Sequence, residues 1–84
     1  MPKAIRYSRE ALRTLERIDR RTAARIVEKV ELLAANPTAL ANNVRRLKGD
    51  EGMSRLRVGD WRVIYRDGLV ISVVRIAPRG SAYD

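Results

Sequence analysis

The chain has 84 residues and a formal net charge of +8, from 18 Lys and Arg against 10 Asp and Glu, which predicts an anionic partner such as nucleic acid, an acidic protein or a membrane surface. It contains neither cysteine nor histidine, and this excludes disulfides, most zinc and iron sites and the commonest general base. A metalloenzyme or a triad hydrolase is therefore not expected, and we predict neither a metal nor a cofactor. Most of the cations are arginine, for which genome composition is an alternative explanation.

At this length we expect one domain, spanning residues 1–84, near the size at which one hydrophobic core is only just sufficient. The longest apolar runs cover only a few residues, so we expect neither a signal peptide nor a membrane span, and no membrane partner. The absence of cysteine is compatible with a reducing cytosol, and we expect a cytoplasmic protein.

The chain begins with a predicted short strand and an amphipathic helix. Residues 3–7 form the strand, Ser8 is placed as the helix N-cap, and Glu10 falls in the first turn, where a carboxylate is favourable. Apolar residues then recur at helical spacing, at Ala11, Leu12, Leu15 and Ile18.

A second helix is predicted to follow almost without a loop. Asp19 is its candidate N-cap, and Asn36-Pro37 ends it because the residue before proline avoids the helical region. An apolar stripe recurs between them, at Ala23, Ile26, Val27, Val30, Leu33 and Ala34. Helices joined this closely lie antiparallel, and we assign both stripes to the core rather than to a partner groove.

The stretch from Met53 to Tyr65 predicts a β-hairpin, because basic and apolar residues alternate on both sides of a two-residue turn at Gly59-Asp60. In this register Arg57 faces Arg62. Like charges in that position destabilise a strand pair by up to roughly 1 kcal/mol, which predicts an anion on this face. The inward face carries Leu56, Val58, Trp61, Val63 and Tyr65, and the basic face carries Arg55, Arg57 and Arg62.

Further strands are predicted on either side of the hairpin. Residues 44–48 form one, followed by a turn at 49–52, and a favoured Asp67-Gly68 turn leads into the last strand, over 69–77. The fold class is therefore α+β, with a short N-terminal strand, a helical hairpin and then an antiparallel β-meander.

The Asp67-Gly68 turn also predicts which residues of the last strand face the helices. It would pair Ile64 with Ile71 and Arg62 with Val73. Four residues would then point toward the helices, namely Val70, Ser72, Val74 and Ile76, with Arg75 on the Arg62 side. Beside the arginines, the open face would hold an apolar strip of Ile64, Leu69, Ile71 and Val73, and we expect a protein partner to cover part of it.

The candidate site is a set of cations at the edge of the predicted sheet, namely Lys48, Arg55, Arg57, Arg62 and Arg79, with Tyr83 on the C-terminal tail. Arginine presents a fixed fork of donors that suits phosphate oxygens. An exposed tyrosine is able to stack on a base. A solvated charged face is the simpler alternative, but the density of arginine on one face favours phosphate binding.

The order of elements and three segments, 47–49, 55–65 and 76–83, resemble the RelE/ParE superfamily of type II toxin–antitoxin toxins, and specifically its RelE branch. The likeness covers nearly the whole chain. Its most specific parts are the run Arg-Val-Gly-Asp-Trp-Arg-Val-Ile-Tyr and an arginine four residues before a terminal tyrosine. The resemblance implies the RelE-like microbial RNase fold and a ribosome-dependent endoribonuclease that cuts mRNA in the A site without a metal.

The resemblance also implies roles for individual residues and partners. Arg62 and Arg79 match arginines that hold and stabilise the reacting phosphate, and Tyr83 matches the tyrosine that stacks on or activates the substrate. The substrate-binding set is implied to be Lys48, Arg55 and Arg57. A cognate antitoxin, the ribosome and mRNA are the implied partners, with a toxin–antitoxin hetero-oligomer.

Two departures from the family pattern make the cationic set thinner. Met53 stands where some relatives have lysine, and Pro78 where many have histidine. Two alternatives remain open: a ParE-like, non-catalytic inhibitor of DNA gyrase, and a homologue that only binds its antitoxin.

Overall fold

The computed structural model describes residues 2–49 and 52–81. Within them, two helices, α1 (Arg9–Arg17) and α2 (Arg20–Ala35), precede most of the sheet. The sheet has the order β1-β5-β4-β3-β2. Its strands are β1 (Ile5–Tyr7), β2 (Val44–Arg46), β3 (Met53–Val58), β4 (Trp61–Asp67) and β5 (Ile71–Pro78). The predicted α+β order is confirmed, and β2 ends earlier than expected.

The N-terminal strand joins the sheet beside its last strand, which the sequence did not predict. β1 pairs in parallel with β5, with Ile5 opposite Ile71 and Tyr7 opposite Val73. Ser8 then begins α1, because its Oγ accepts a hydrogen bond from the Ala11 backbone N–H at 3.0 Å. The same hydroxyl donates to the Val74 carbonyl at 2.6 Å and so ties the start of α1 to β5.

The second helix begins and ends as predicted. The Asp19 carboxylate accepts from the Thr22 backbone N–H at 3.0 Å, and this hydrogen bond lowers the pKa of Asp19. Asn36 closes the helix by donating its backbone N–H to the Leu32 carbonyl at 2.7 Å. A 3-10 helix, Pro37–Asn43, connects α2 to β2.

The β3–β4 hairpin has the predicted register. Arg57 lies opposite Arg62, and Leu56 lies opposite Val63. Gly59 has φ of +59°, and among the described residues only glycines have positive φ, so Asp60 does not. Glycine at the first turn position therefore fits a type II′ turn, which matches the twist of the strands.

The predicted β4–β5 register is wrong near the Asp67 turn. The connection has three residues, 68–70, so Asp67 pairs with Ile71 and Tyr65 with Val73. The partner of Ile71 is thus displaced by three residues from the predicted one. A displacement by an odd number of residues moves a strand's side chains to the other face, and Ile71 and Val73 consequently lie in the core. The predicted inward positions of Val70, Ser72 and Val74 fail for the same reason.

A β-bulge restores the predicted faces further along β5. The register shifts between Ile64 and Tyr65, so Ile64 pairs with Arg75. Val74 is the extra residue, and it is 40% exposed between the buried Val73 and the buried Ile76. Ile76 therefore points into the core as the sequence predicted, whereas the Arg75 side chain reaches Glu10 of α1.

The core lies between the helices and one face of the sheet. Its largest fully buried side chains include Ile26 and Val30 of α2 and Leu56 and Val63 of the hairpin. The expected apolar strip on the other face is wrong, because Ile71 and Val73 belong to the core, Ile64 is itself buried, and Leu69 stands alone in a turn. The reason for expecting a partner over that strip is removed. No helix within the described ranges is long and apolar enough to span a membrane.

Candidate basic site at the hairpin turn

The candidate site lies where the β3–β4 hairpin reverses. Arg57 and Arg62 form the second cross-strand pair from the turn, on the sheet face that the helices do not cover. Residues in this position have Cα atoms about 5 Å apart, so two guanidinium groups share one small area. A third candidate, Arg79, follows β5 at the same end of the sheet.

Arg62 is positioned by the turn itself. Its Nη1 donates to the Gly59 carbonyl at 3.0 Å and to the Trp61 carbonyl at 3.1 Å. These hydrogen bonds to backbone hold the guanidinium near the reversal without neutralising its charge. A guanidinium group in this place has the geometry of donors that suits an anion.

Arg79 is joined to the same turn through Asp60. The Arg79 backbone N–H donates to the Asp60 carbonyl at 2.8 Å, and its Nη1 lies 4.0 Å from the Asp60 carboxylate. Both side chains are well exposed, with 71% of Arg79 accessible. Such an ion pair is worth at most about 1 kcal/mol, so a phosphate is able to displace the carboxylate from the guanidinium.

Two arginines outside the predicted set also belong to this region. Arg45 of β2 lies directly opposite Arg55, which makes a second like-charge pair beside Arg57. From α2, the Arg25 guanidinium lies 3.7 Å from the position that a Cβ on Gly59 would occupy. Helical periodicity placed Arg25 on the polar side of α2, but only the packing of α2 against the hairpin determines which turn it approaches.

Lys48 and Tyr83 are not placed with the arginines by the described structure. Lys48 follows β2, beyond the hydrogen bond between Leu47 and Met53. Met53 is four residues from Arg57 along β3, which is about 13 Å in a strand. Lys48 therefore lies at the other end of the hairpin. Tyr83, predicted as a catalytic residue, lies outside the described residues.

Both tyrosines that the structure describes hold their protons tightly. Burial raises the pKa of Tyr7, and the Glu31 carboxylate raises it further. Burial also raises the pKa of Tyr65, against an opposing effect of its hydrogen bond with Ser54. Neither phenol is suited to accept a proton at neutral pH.

A groove beside α1 contains further arginines that the sequence did not reveal. It has a volume of about 420 Å³ and runs between α1 and the end of β5, with Arg13, Arg17 and Arg75 among its lining residues. Arg75 is held by Glu10, at 3.4 Å, and by the Ser81 carbonyl, at 3.1 Å. Trp61 lines the same groove. β1 pairs with only three of the eight residues of β5, which leaves this edge open, and periodicity alone does not indicate it.

The chemistry available at the turn is charge stabilisation. Several guanidinium groups converge on one end of the sheet, where they are able to bind a phosphate and stabilise charge that develops on it. Among the described residues, no group of His, Cys, Asp and Glu has the arrangement of a metal site.

Solved structures that resemble this chain include toxin–antitoxin proteins. A chain of the archaeal RelE–RelB complex from Pyrococcus horikoshii is 26% identical, with a TM-score of 0.80 and coverage of 98% of this chain and 100% of that one. A chain of the RelBE2 toxin–antitoxin complex from Mycobacterium tuberculosis is 25% identical, with a TM-score of 0.76 and coverage of 94% and 100%. The chromosomal ParDE system from P. aeruginosa, at 19% identity, has a TM-score of 0.70 and coverage of 90% and 95%, and shows the shared fold alone.

Sequence comparison identifies the family. A search of the curated proteins found no match. The model of one protein family, described as ParE toxin of type II toxin–antitoxin system, parDE, matches residues 5–83. That match spans nearly the whole chain, including all the strands and helices described above. The chain therefore belongs to this family of type II toxin–antitoxin toxins, within the RelE/ParE superfamily.

Proposed function

We propose that this toxin is a RelE-like endoribonuclease, which cleaves mRNA in the ribosomal A site and so inhibits translation. The observation that carries the proposal is the gathering of Arg57, Arg62 and Arg79 around the Gly59-Asp60 turn. Like charges directly opposite each other are unfavourable for folding. A phosphate bound between the guanidinium groups would offset this repulsion.

The proposed reaction needs no metal because RNA carries its own nucleophile. A base takes the proton of the 2′-hydroxyl, the 2′-oxygen attacks the adjacent phosphorus, and the bond to the 5′-oxygen breaks as that oxygen takes up a proton from water. The products are a 2′,3′-cyclic phosphate and a 5′-hydroxyl. Arg62 and Arg79 stabilise the charge that builds on the phosphate oxygens. Arg55 and Arg57 bind the strand, and Lys48, at the far end of the hairpin, contacts it away from the scissile phosphate.

Tyr83 is the tyrosine of the proposal, as the residue that stacks on the base or accepts the 2′-hydroxyl proton. The raised pKa values of Tyr7 and Tyr65 make them unsuitable for the second role. A tyrosine with its ordinary pKa of about 10 becomes a base only if neighbouring cations lower that pKa. The arginines at the turn supply such cations once mRNA and the ribosome have assembled the site.

The proposed partners follow from the relatives. The similar chains from Pyrococcus horikoshii and Mycobacterium tuberculosis come from RelE–RelB and RelBE2 complexes, and we infer that a cognate antitoxin binds this toxin in a hetero-oligomer. Its target, mRNA on the ribosome, places it in the cytoplasm.

A ParE-like, non-catalytic inhibitor of DNA gyrase is the second candidate. The matching family model, described as ParE toxin, favours it. The basic face favours the nuclease, because cleavage requires phosphate-binding groups at the point of reaction. A third candidate is a homologue that only binds its antitoxin. It requires that the basic site at the turn bind no phosphate.

Mapping of mRNA 5′ ends in a reconstituted bacterial translation reaction tests the proposal. We expect new 5′-hydroxyl ends within A-site codons only when ribosomes are present, and far fewer of them with the Arg62→Ala variant. Intact mRNA in the presence of folded toxin would refute the nuclease. Inhibition of gyrase supercoiling by the same preparation would then establish the ParE-like function.

A further inference from the structure

The groove between α1 and the end of β5 has the chemistry of a single-stranded RNA site. Arg13 and Arg17 lie one helical turn apart on α1 and line the groove with Arg75. Like charges at this spacing weaken a helix. Within the described part of the chain, neither the Arg13 nor the Arg17 side chain has a hydrogen bond or an ion pair, and both residues are exposed. Two free guanidinium groups at this spacing are suited to bind neighbouring phosphates of one strand.

The groove also offers a surface for a base. Trp61 is half-buried, packs against the core and lines the groove. A base stacked on an aromatic side chain contributes about 1–3 kcal/mol to single-strand binding, with little regard to sequence. Arginine beside an aromatic ring is the combination on which sequence-independent RNA binding relies.

The groove continues directly from the candidate site at the turn. Pro78 and Ser81 line it, and Arg79, which is joined to Asp60, lies between them in the chain. Arg75 holds the segment after β5 close to α1, because its guanidinium binds both Glu10 of α1 and the Ser81 carbonyl. A strand whose phosphate lies at Arg79 therefore needs to advance only a short distance to enter the groove.

We propose that this groove binds the nucleotides that flank the scissile phosphate, with a base on Trp61 and phosphates on Arg13 and Arg17. The inference rests on the proposed nuclease function and names a second contact for its substrate. It makes the arginine-bearing side of α1 part of the RNA interface, whereas the sequence suggested only that the apolar stripe of this helix belongs to the core. Arg75 acts as a positioning residue for the groove.

Trp61 is the one tryptophan of the sequence, so its fluorescence reports on this groove directly. The probe is a short 2′-O-methyl oligoribonucleotide, which lacks the nucleophile and is not cleaved. We expect saturable quenching of Trp61 emission. Affinity decreases with salt concentration, and a plot of log affinity against log salt has a negative slope. In an Arg13→Gln/Arg17→Gln variant this slope should become less steep by about 1.4, which corresponds to the loss of two phosphate contacts on a single strand.

Arg6→Gln is the matched control, because Arg6 lies on β1 opposite Ser72, away from the groove. It should quench as the unmodified chain does. RNA binding measured by anisotropy without any change in Trp61 emission would overturn the proposal, as would an unaltered affinity and salt slope in the double variant. Stronger quenching by poly-glutamate than by the oligonucleotide would assign the groove to an acidic peptide.

The test separates this inference from the proposed function. Quenching by the uncleaved oligonucleotide, with the expected loss in the double variant, supports the groove even if the translation reaction shows no cut mRNA. A-site cleavage that the double variant performs as well as the unmodified toxin, without quenching, would leave the nuclease standing and remove the groove.

Discussion

Arg79 and Asp60 are joined twice, by a backbone hydrogen bond of 2.8 Å from the Arg79 N–H to the Asp60 carbonyl and by a guanidinium–carboxylate distance of 4.0 Å. The end of β5 is thereby fastened to the turn of the β3–β4 hairpin. Residues that are 19 positions apart in the sequence thus share one basic site with Arg57 and Arg62.

The first prediction concerns the two arginines assigned to the reacting phosphate. Arg62→Ala and Arg79→Ala should each reduce A-site cleavage roughly 100-fold or more, since each removes a charged donor from the developing oxyanion. Both should abolish growth inhibition while leaving the fold and antitoxin binding intact. Quantitative mapping of cleaved mRNA, with circular dichroism as the fold control, measures this. Full toxicity of both variants would remove the site assignment.

The second prediction is a trade between stability and function at Arg57. Arg57→Thr removes a like-charge pair with Arg62 and should stabilise the fold by up to about 1 kcal/mol, which raises Tm by about 4–8 °C for a domain of this size. Cleavage should weaken at the same time. Thermal unfolding provides the measurement, and Arg6→Thr, opposite Ser72, is the control without a paired arginine. A lower Tm for Arg57→Thr would contradict the repulsion.

The third prediction tests the bulge in β5. Val73 is buried and Val74 is 40% exposed, so Val73→Ala should cost roughly 2 kcal/mol and Val74→Ala much less. Urea unfolding of the two variants compares adjacent residues with the same change in volume. If Val74→Ala proved the more damaging, the register predicted from the two-residue Asp67-Gly68 turn, in which Val74 points inward, would be correct instead.

The fourth prediction concerns the Ser8 cap. Its Oγ accepts from the Ala11 N–H and donates to the Val74 carbonyl, so Ser8→Ala should destabilise the protein by about 1–2 kcal/mol. Chemical unfolding measures the loss. Thr38→Ala, which removes an exposed hydroxyl that donates to the Asn36 side chain, should have little effect. Equal losses in both variants would argue against the double role of Ser8.

The fifth prediction follows from the lowered pKa of Asp19. Because its pKa is lower in the folded than in the unfolded state, its capping contribution is present above the unfolded value of about 3.9 and is lost as the pH falls through the native pKa. Asp19→Asn keeps a cap that does not titrate. The unmodified chain should therefore lose stability relative to Asp19→Asn as the pH falls below about 4. Unfolding free energies with a constant difference across this range would contradict the assignment.

The sequence by itself determined the elements whose signals are local. The caps at Ser8 and Asp19 and the stop at Asn36-Pro37 follow from backbone hydrogen bonding and sterics, and the structure has each of them. The register of the β3–β4 hairpin was also predictable, because a two-residue turn with glycine first leaves one pairing. The pairing of Arg57 with Arg62 followed from that register.

Only the tertiary structure decided what depends on contacts between distant segments. The parallel pairing of β1 with β5 leaves no periodic signal. The three-residue connection before β5 reverses the faces predicted from Ile71 to Val73, and the bulge at Val74 restores the predicted inward position of Ile76. The approach of Arg25 to Gly59 and the opening of a groove beside Arg13, Arg17 and Trp61 depend on how the helices pack on the sheet. Residue types thus indicated phosphate chemistry, whereas packing determined which arginines meet.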